Sequence, residues 1–268
     1  MRNDLFACLI LVACGFGTVV SGPGHAADPT DVRVVPTDDH GDIDLNCWKL
    51  TLPVDASGST DGKATEIPVT KLVSGYNDSY FKKNANGSVT FWCPVTGAKT
   101  EGTEYPRSEL REMLDPGDPS VNWTAQGTHI LDAECRISKI PSSSKVIIGQ
   151  IHSYTGKAKP LVKLQYFKNR IEALVKVSPT AGKDKKLTFP NIEFNTAISY
   201  QFQLNDGLLT ITVNGESQSQ DIIDSNSGWG DETFYFKAGV YVQDNEGDES
   251  EGAQATFSKL AVTHNAKR

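Results

Sequence analysis

Cysteine is scarce in this sequence: there are five in 268 residues, and two of them, Cys8 and Cys14, fall within the first 26. The other three, Cys47, Cys93 and Cys135, have no His or Cys neighbours at the spacing of a structural zinc site. No glycine-rich phosphate loop appears. Amphipathic helical periodicity is nearly absent, and only "VTKLVSGYN" and "DIIDSNSGW" have a helical look. An overall basic excess is also missing. The formal net charge is −7, which argues against a nucleic-acid partner, since such a domain would be basic as a whole. The one apolar run, "LFACLILVACGFGTVV", is too short and too rich in glycine for a membrane span.

That run follows Arg2 and precedes the small residues of "GPGHAAD". Residues 1–26 therefore read as a secretory signal cleaved before Ala27, and the protein as secreted. "LVAC", Leu11 to Cys14, resembles a bacterial lipoprotein signal and would leave Cys14 lipid-anchored. The stretch before it is short for that role, so simple secretion is the expectation. Residues 27–40, polar and with two prolines, read as a short linker. Beyond them there is no break in composition, no repeat and no Gly/Ser tether, so residues 41–268 form one expected domain. In an oxidising compartment three cysteines make one disulfide and one thiol. Cys47 and Cys93, each beside a Trp at a strand end, are the expected pair, with Cys135 turned into a core.

Strand-like runs recur throughout, among them "CWKLTLP", "SVTFWCP", "THILDAECRIS", "LVKLQYF", "SYQFQLND" and "LLTITVNGE". "NDG" at 205 and "NG" at 214 are hairpin turn signals. Many strands with short turns imply an all-β chain, a β-sandwich of jelly-roll type. Charge is unevenly spread. Between Arg136 and Lys186 there are twelve Lys or Arg against two acids, Glu172 and Asp184. A basic middle in an acidic chain suggests a local site for an anion.

Three of the strands present polar faces. In "YPRSELREM", alternation puts Arg107, Glu109 and Arg111 together, a pattern that a solvated strand with paired charges also explains. In "VIIGQIHSY", Gln150, His152 and Tyr154 align with Val146 and Ile148, while Ile147, Gly149 and Ile151 point the other way. A polar group in so apolar a run needs a partner, and a histidine satisfied inside the sandwich is the competing explanation. In "YFKAGVYVQ", Tyr235, Lys237, Gly239, Tyr241 and Gln243 oppose Phe236, Ala238, Val240 and Val242. A mid-strand glycine marks close approach of a ligand or another backbone. The combined inventory suits a substrate carrying carboxylates: Arg and Gln hold a carboxylate, and His and Tyr move protons. No Ser–His–Asp set is evident, and the inventory alone names no reaction.

"RSELRE", "QIH" and "YFKAGVYVQ" resemble, in order, the three signature segments of polysaccharide lyase family 7, the alginate lyases. "NCWKLTLPVD" and "FWCPVTGAKTEGTEYPRSELRE" resemble its early strands, so the likeness runs from about residue 44 to the C-terminus. Val242 departs from it, standing where the family often has a polar residue. The resemblance implies a jelly-roll with a concave groove for alginate, cleaved by β-elimination to oligosaccharides ending in a 4,5-unsaturated uronate. It implies that Arg107 and Gln150, with His152 assisting, neutralise the uronate carboxylate. Tyr241 would protonate the leaving oxygen. The base would be Tyr241 itself for mannuronate and His152 for guluronate. Arg111, Lys237 and Gln243 would bind neighbouring sugars, Glu109 would orient the arginines, and Gly239 would give the sugar room. The isoleucine of "QIH", Ile151, implies acceptance of guluronate-containing blocks. No cofactor and no metal is expected, because Arg107 supplies the positive charge, and a monomer is the default assembly.

Three other readings stand beside this one. A non-catalytic module binding acidic polysaccharide would need the cations but not His152 and Tyr241 together, and a lyase for another polyuronate would share the chemistry. A glycoside hydrolase would need two carboxylates. Glu104 and Glu109 are its candidates, but they lie five apart on opposite strand faces, and arginines beside Glu109 would keep it ionised. The acidic run "DNEGDESE", 244–251, lacks calcium-loop spacing and reads as a solvated turn.

Overall fold

The computed structural model describes residues 42–154, 159–223 and 227–265. The expected signal segment with Cys14 and the linker lie outside the described residues. In chain order the elements are β1 (Trp48–Thr51), β2 (Glu66–Ile67), α1 (Val69–Val73), β3 (Phe81–Lys83), β4 (Val89–Pro94), β5 (Arg107–Glu112), β6 (Trp123–Thr124) and β7 (Thr128–Lys139). There follow β8 (Lys145–Ser153), β9 (Pro160–Phe167), β10 (Ile171–Lys176), β11 (Asp184–Phe189), β12 (Ala197–Asn205), β13 (Leu208–Val213), β14 (Glu216–Asp221), β15 (Thr233–Val242) and β16 (Gly252–Asn265). Of the two segments with a helical look, the first carries the five-residue α1. The second runs from the end of β14 to a 3-10 turn at Trp229–Asp231 and holds no α-helix among its described residues.

The strands form two antiparallel sheets. One has the order β11-β10-β9-β8-β15-β5-β1-β2 with β6 added on β15, and the other the order β14-β13-β12-β7-β16-β4-β3. This is the expected all-β sandwich. Strand β7 illustrates why: Leu131, Ala133, Cys135 and Ile137 are buried, while the residues between them are more exposed. Cys135 faces the core, as its setting implied. Phe81, Phe91 and Phe257 meet edge to face with centroids 5.3 and 5.4 Å apart, filling the space between sheets. The turn signals act as read. Asp206 and Gly207 (φ 47° and 87°), and Asn214 and Gly215 (φ 48° and 84°), supply the positive φ that tight hairpins require.

Three expectations are corrected. Cys47, Cys93 and Cys135 are free thiols, not a disulfide and one thiol. Cys47 accepts a backbone bond from Met113, whereas the Cys93 sulfur lies against the backbone N–H groups of Ser108 and Val242. Met113 and Ser108 are five residues apart along an extended chain, roughly 16 Å, far beyond disulfide reach. The second correction is the phase of β8. Its pairing with β9 slips between Ile147 and Gly149, so Val146 and Ile148 join the core, while Gln150, His152 and Tyr154 line the groove. The third is Gly239 (φ 143°), where a Cβ would stand 2.7 Å from the Ser108 carbonyl oxygen and 2.8 Å from Glu109 Cα. The glycine serves the close approach of β5 at a bulge in β15, not a sugar. The competing reading of β5 as a solvated strand also fails, since Arg107, Glu109 and Arg111 are 5%, 0% and 5% exposed.

Candidate active site

The topology sets the three motif strands side by side, β15 lying between β8 and β5. Their registers continue into the flanking strands. Lys163 of β9 pairs with Gln150, Gln150 with Lys237, Lys237 with Arg111, and Arg111 with Lys49 of β1. All five side chains line one groove of about 620 Å³, which crosses the strands. The turn from Thr100 to Tyr105 forms part of its wall. Lys159, Lys163 and Lys176, from the basic middle of the chain, line it too, which gives that charge asymmetry a physical place.

Glu109, with no exposed surface, is the anchor beneath the groove. It accepts from Lys237 Nζ (2.5 Å), Gln150 Nε2 (2.5 Å) and Arg107 Nη1 (3.3 Å). Burial alone would raise its pKa, but Lys237 and Arg107 hold it below the ordinary carboxylate value. So placed, it is held ionised, the wrong state for a general acid, and it has no surface open to the groove. It orients the cations, and the hydrolase reading loses one of its two carboxylates. Lys237 is pulled down to about 8, chiefly by burial and further by Arg107, with Glu109 opposing.

Arg107 stacks over Tyr241, its guanidinium carbon 3.8 Å from the ring centre. Its Nε is buried and has no hydrogen-bond partner among the described residues. A buried charged donor left unpaired costs more than the roughly 1–3 kcal/mol of a neutral one, and a carboxylate arriving in the groove would recover that cost. Burial raises the Tyr241 phenol while Arg107 pulls it back, so it carries its proton at neutral pH. His152 is pushed down to about 3 by burial and by Lys237, and is therefore neutral. Its Nδ1 contacts the Ser153 carbonyl (2.8 Å) and the Tyr235 hydroxyl (3.2 Å).

Arg111 lines the groove and is also committed to its wall. Its Nη1 donates to the Glu112 carbonyl (2.7 Å), and its Nη2 to the Pro119 carbonyl (2.7 Å) and Asn122 Oδ1 (2.8 Å). It binds the 119–122 loop while presenting a face to Tyr235 and Tyr154 at 4.1 and 5.9 Å. Gln243 sits at the groove beyond Tyr241, its amide folded onto the Val242 carbonyl (3.0 Å). Sequence reasoning missed Lys49, Lys163, Lys176 and the part played by Tyr235. The available signal was one cation inside an apolar strand, as in "WKLT" and "PLVKLQYF".

Over residues 43–264 the sequence matches the family model described as alginate lyase. The chain belongs to the alginate lyase family. An alginate lyase of Klebsiella pneumoniae is 31% identical, over 84% of this chain and 91% of that protein. Among solved structures, alginate lyase A1-II', a member of polysaccharide lyase family 7, is 37% identical with a TM-score of 0.77, covering 85% of this chain and 99% of its own. A variant of A1-II' solved in complex with the substrate GGMG is 37% identical with a TM-score of 0.77, over 84% of this chain and 96% of its own. The present chain is thus a polysaccharide lyase acting on alginate, with the jelly-roll sandwich of its family.

Proposed function

We propose that this alginate lyase works by β-elimination with Arg107, Gln150, His152 and Tyr241 as the reacting set. The chemical obstacle is the weak acidity of C5–H beside an ionised carboxylate. Arg107 and the second N–H of Gln150 bind that carboxylate and stabilise the enolate-like charge that grows on it. A base removes the C5 proton, the C5–H electrons form the C4=C5 bond, and the C4–O4 bond breaks. Tyr241 gives its proton to the departing O4. With guluronate the base is neutral His152. With mannuronate Tyr241 gives its phenolic proton to O4 as its oxygen takes the C5 proton, so the phenol ends the step neutral. Lys237 and Gln243 hold neighbouring sugars; Glu109 orients Lys237, Gln150 and Arg107, and Arg111 braces the wall.

The observation that carries this reading is the unpaired buried Nε of Arg107, whose guanidinium stacks on the protonated Tyr241 in the groove that neutral His152 also lines. Ile151 lies in the core between Gln150 and His152, and sets their backbone. By the resemblance of "QIH" to its family's segment, guluronate-containing blocks are accepted, with oligosaccharides bearing a 4,5-unsaturated end as products. We further infer a secreted protein acting as a monomer.

The test is ultraviolet absorbance of alginate solutions rich in guluronate, rich in mannuronate, or mixed, with the wild type, His152→Ala and Tyr241→Phe. Rising absorbance reports the new double bond. Tyr241→Phe should lose activity on all three. His152→Ala should lose it on the guluronate-rich polymer and keep a part on the mannuronate-rich one. Equal loss by His152→Ala on both polymers would refute the division of bases.

A further inference from the structure

Tyr235 takes no part in that elimination, yet it touches His152 in two ways. Their rings stack at 5.4 Å and 20°, and the phenol oxygen lies 3.2 Å from His152 Nδ1. The same Nδ1 lies 2.8 Å from the Ser153 carbonyl oxygen. A carbonyl only accepts, so this contact is a hydrogen bond only when Nδ1 carries the proton. The phenol oxygen, facing the same N–H, is then a second acceptor. A neutral ring protonated at Nδ1 has its lone pair on Nε2. The tyrosine is held in turn, because the Arg111 guanidinium carbon is 4.1 Å from its ring centre and Arg111 is fixed by Glu112, Pro119 and Asn122.

We propose that Tyr235 is a positioning residue: braced by Arg111, it fixes the plane of the His152 ring so that Nδ1–H stays on the Ser153 carbonyl and Nε2 is the nitrogen that acts as base. This rests on His152 being the base for guluronate. It also gives Arg111 a function its hydrogen bonds alone do not reveal: through Tyr235, the 119–122 loop sets the aim of the imidazole. Without the stack, the ring is free to turn about its Cβ–Cγ bond and exchange the Ser153 contact for one with water.

Nitrogen-15 NMR of histidine-labelled full chain tests this without turnover, because the two ring nitrogens of each tautomer have distinct shifts. Wild type and Tyr235→Phe, which keeps the stack, should both hold His152 as the Nδ1–H form. Tyr235→Leu, which loses it, should show a mixture of tautomers. On guluronate-rich alginate Tyr235→Leu should lower kcat about 10–100-fold, the cost of a misaimed catalytic group, with KM little changed. On mannuronate-rich alginate the loss should be smaller. Thermal unfolding near the wild-type midpoint establishes that the variant is folded; if Tyr235→Leu does not fold, Tyr235→Met replaces it. An Nε2–H tautomer in the wild type would overturn the proposal, and so would a kcat loss in Tyr235→Leu with the tautomer unchanged. Failure of the underlying reading has a different signature: the tautomer result stands, but His152→Ala leaves guluronate cleavage intact.

Discussion

Glu109 is the residue on which the groove's charges depend. It has no surface, and it is the common acceptor for Lys237, Gln150 and Arg107. Removing one member of a buried ion pair costs about 3–5 kcal/mol, because the charges left behind are unpaired in low dielectric. Glu109→Gln should therefore lower the unfolding free energy obtained from urea titration by that much, unchanged stability being the contrary result. Lys237 offers a second reading of the same change. Glu109 raises its pKa, which nonetheless stands at about 8, so without the carboxylate it should fall further. KM for alginate in the wild type should rise above about pH 8 as the ammonium is lost, and in Glu109→Gln the rise should begin at lower pH. Acid acts through His152. Its folded pKa of about 3 lies below the unfolded value near 6.5. The unfolded chain therefore binds the proton first, and stability contributed by the neutral ring is complete above about pH 6.5 and declines as pH falls toward 3. In His152→Gln that part of the acid slope should disappear from a stability-versus-pH series.

At the scale of single elements, β5 was fully legible and β8 only in part, for one physical reason. Strand alternation holds where pairing is regular, and β5 pairs without a slip with both β15 and β1. Strand β8 slips against β9, and β15 slips against β8 between Ala238 and Tyr241. A bulge shifts the side-chain phase by one residue and leaves little trace in composition, so Val146 and Ile148 were placed on the wrong face. Gly239 was noticed but given the wrong neighbour, because sequence shows that something approaches a glycine and not what it is. The disulfide failed for a related reason: two cysteines beside tryptophans say nothing about which ends of β5 they sit against. Gly239→Ala puts a Cβ into the Ser108 carbonyl at a φ of 143°. Strain of this kind costs about 1–3 kcal/mol, so the variant should melt several degrees lower and lose activity as Arg107 and Tyr241 shift. Gly149→Ala meets the Tyr200 hydroxyl at 2.8 Å, a side chain rather than backbone. If Gly149→Ala proved the more damaging, backbone approach would not be the reason for Gly239.

Across the whole molecule, the arrangement that matters is the row Lys163, Gln150, Lys237, Arg111 and Lys49, on five neighbouring strands. Strands lie about 4.8 Å apart, so the row spans roughly 19 Å, enough to meet several sugars of a polyanion at once. No sequence pattern contains it, because four registers, three of them between strands far apart in the chain, must be fixed before the five residues align. By the proposed roles its inner members, Gln150, Lys237 and Arg111, serve the reacting sugar, a neighbouring sugar and the wall, which leaves the ends to serve length. The ends differ. Lys49 is tied to Glu66 at 2.8 Å, whereas Lys163 stands 3.9 Å from Asp184, an acid already bonded to Lys176 at 2.9 Å. The less committed charge is the more available to a uronate. Lys163→Ala should raise KM several-fold on polymeric alginate and hardly at all on short oligosaccharides, with kcat unchanged, and Lys49→Ala should do less. Added salt should weaken binding of the polymer in the wild type and weaken it less in Lys163→Ala, since a charge that is gone has nothing to screen. The comparison is KM for polymer and for trisaccharide at low and high ionic strength. Equal effects of Lys163→Ala on both lengths would place this lysine at the reacting sugar and not at the end of the row.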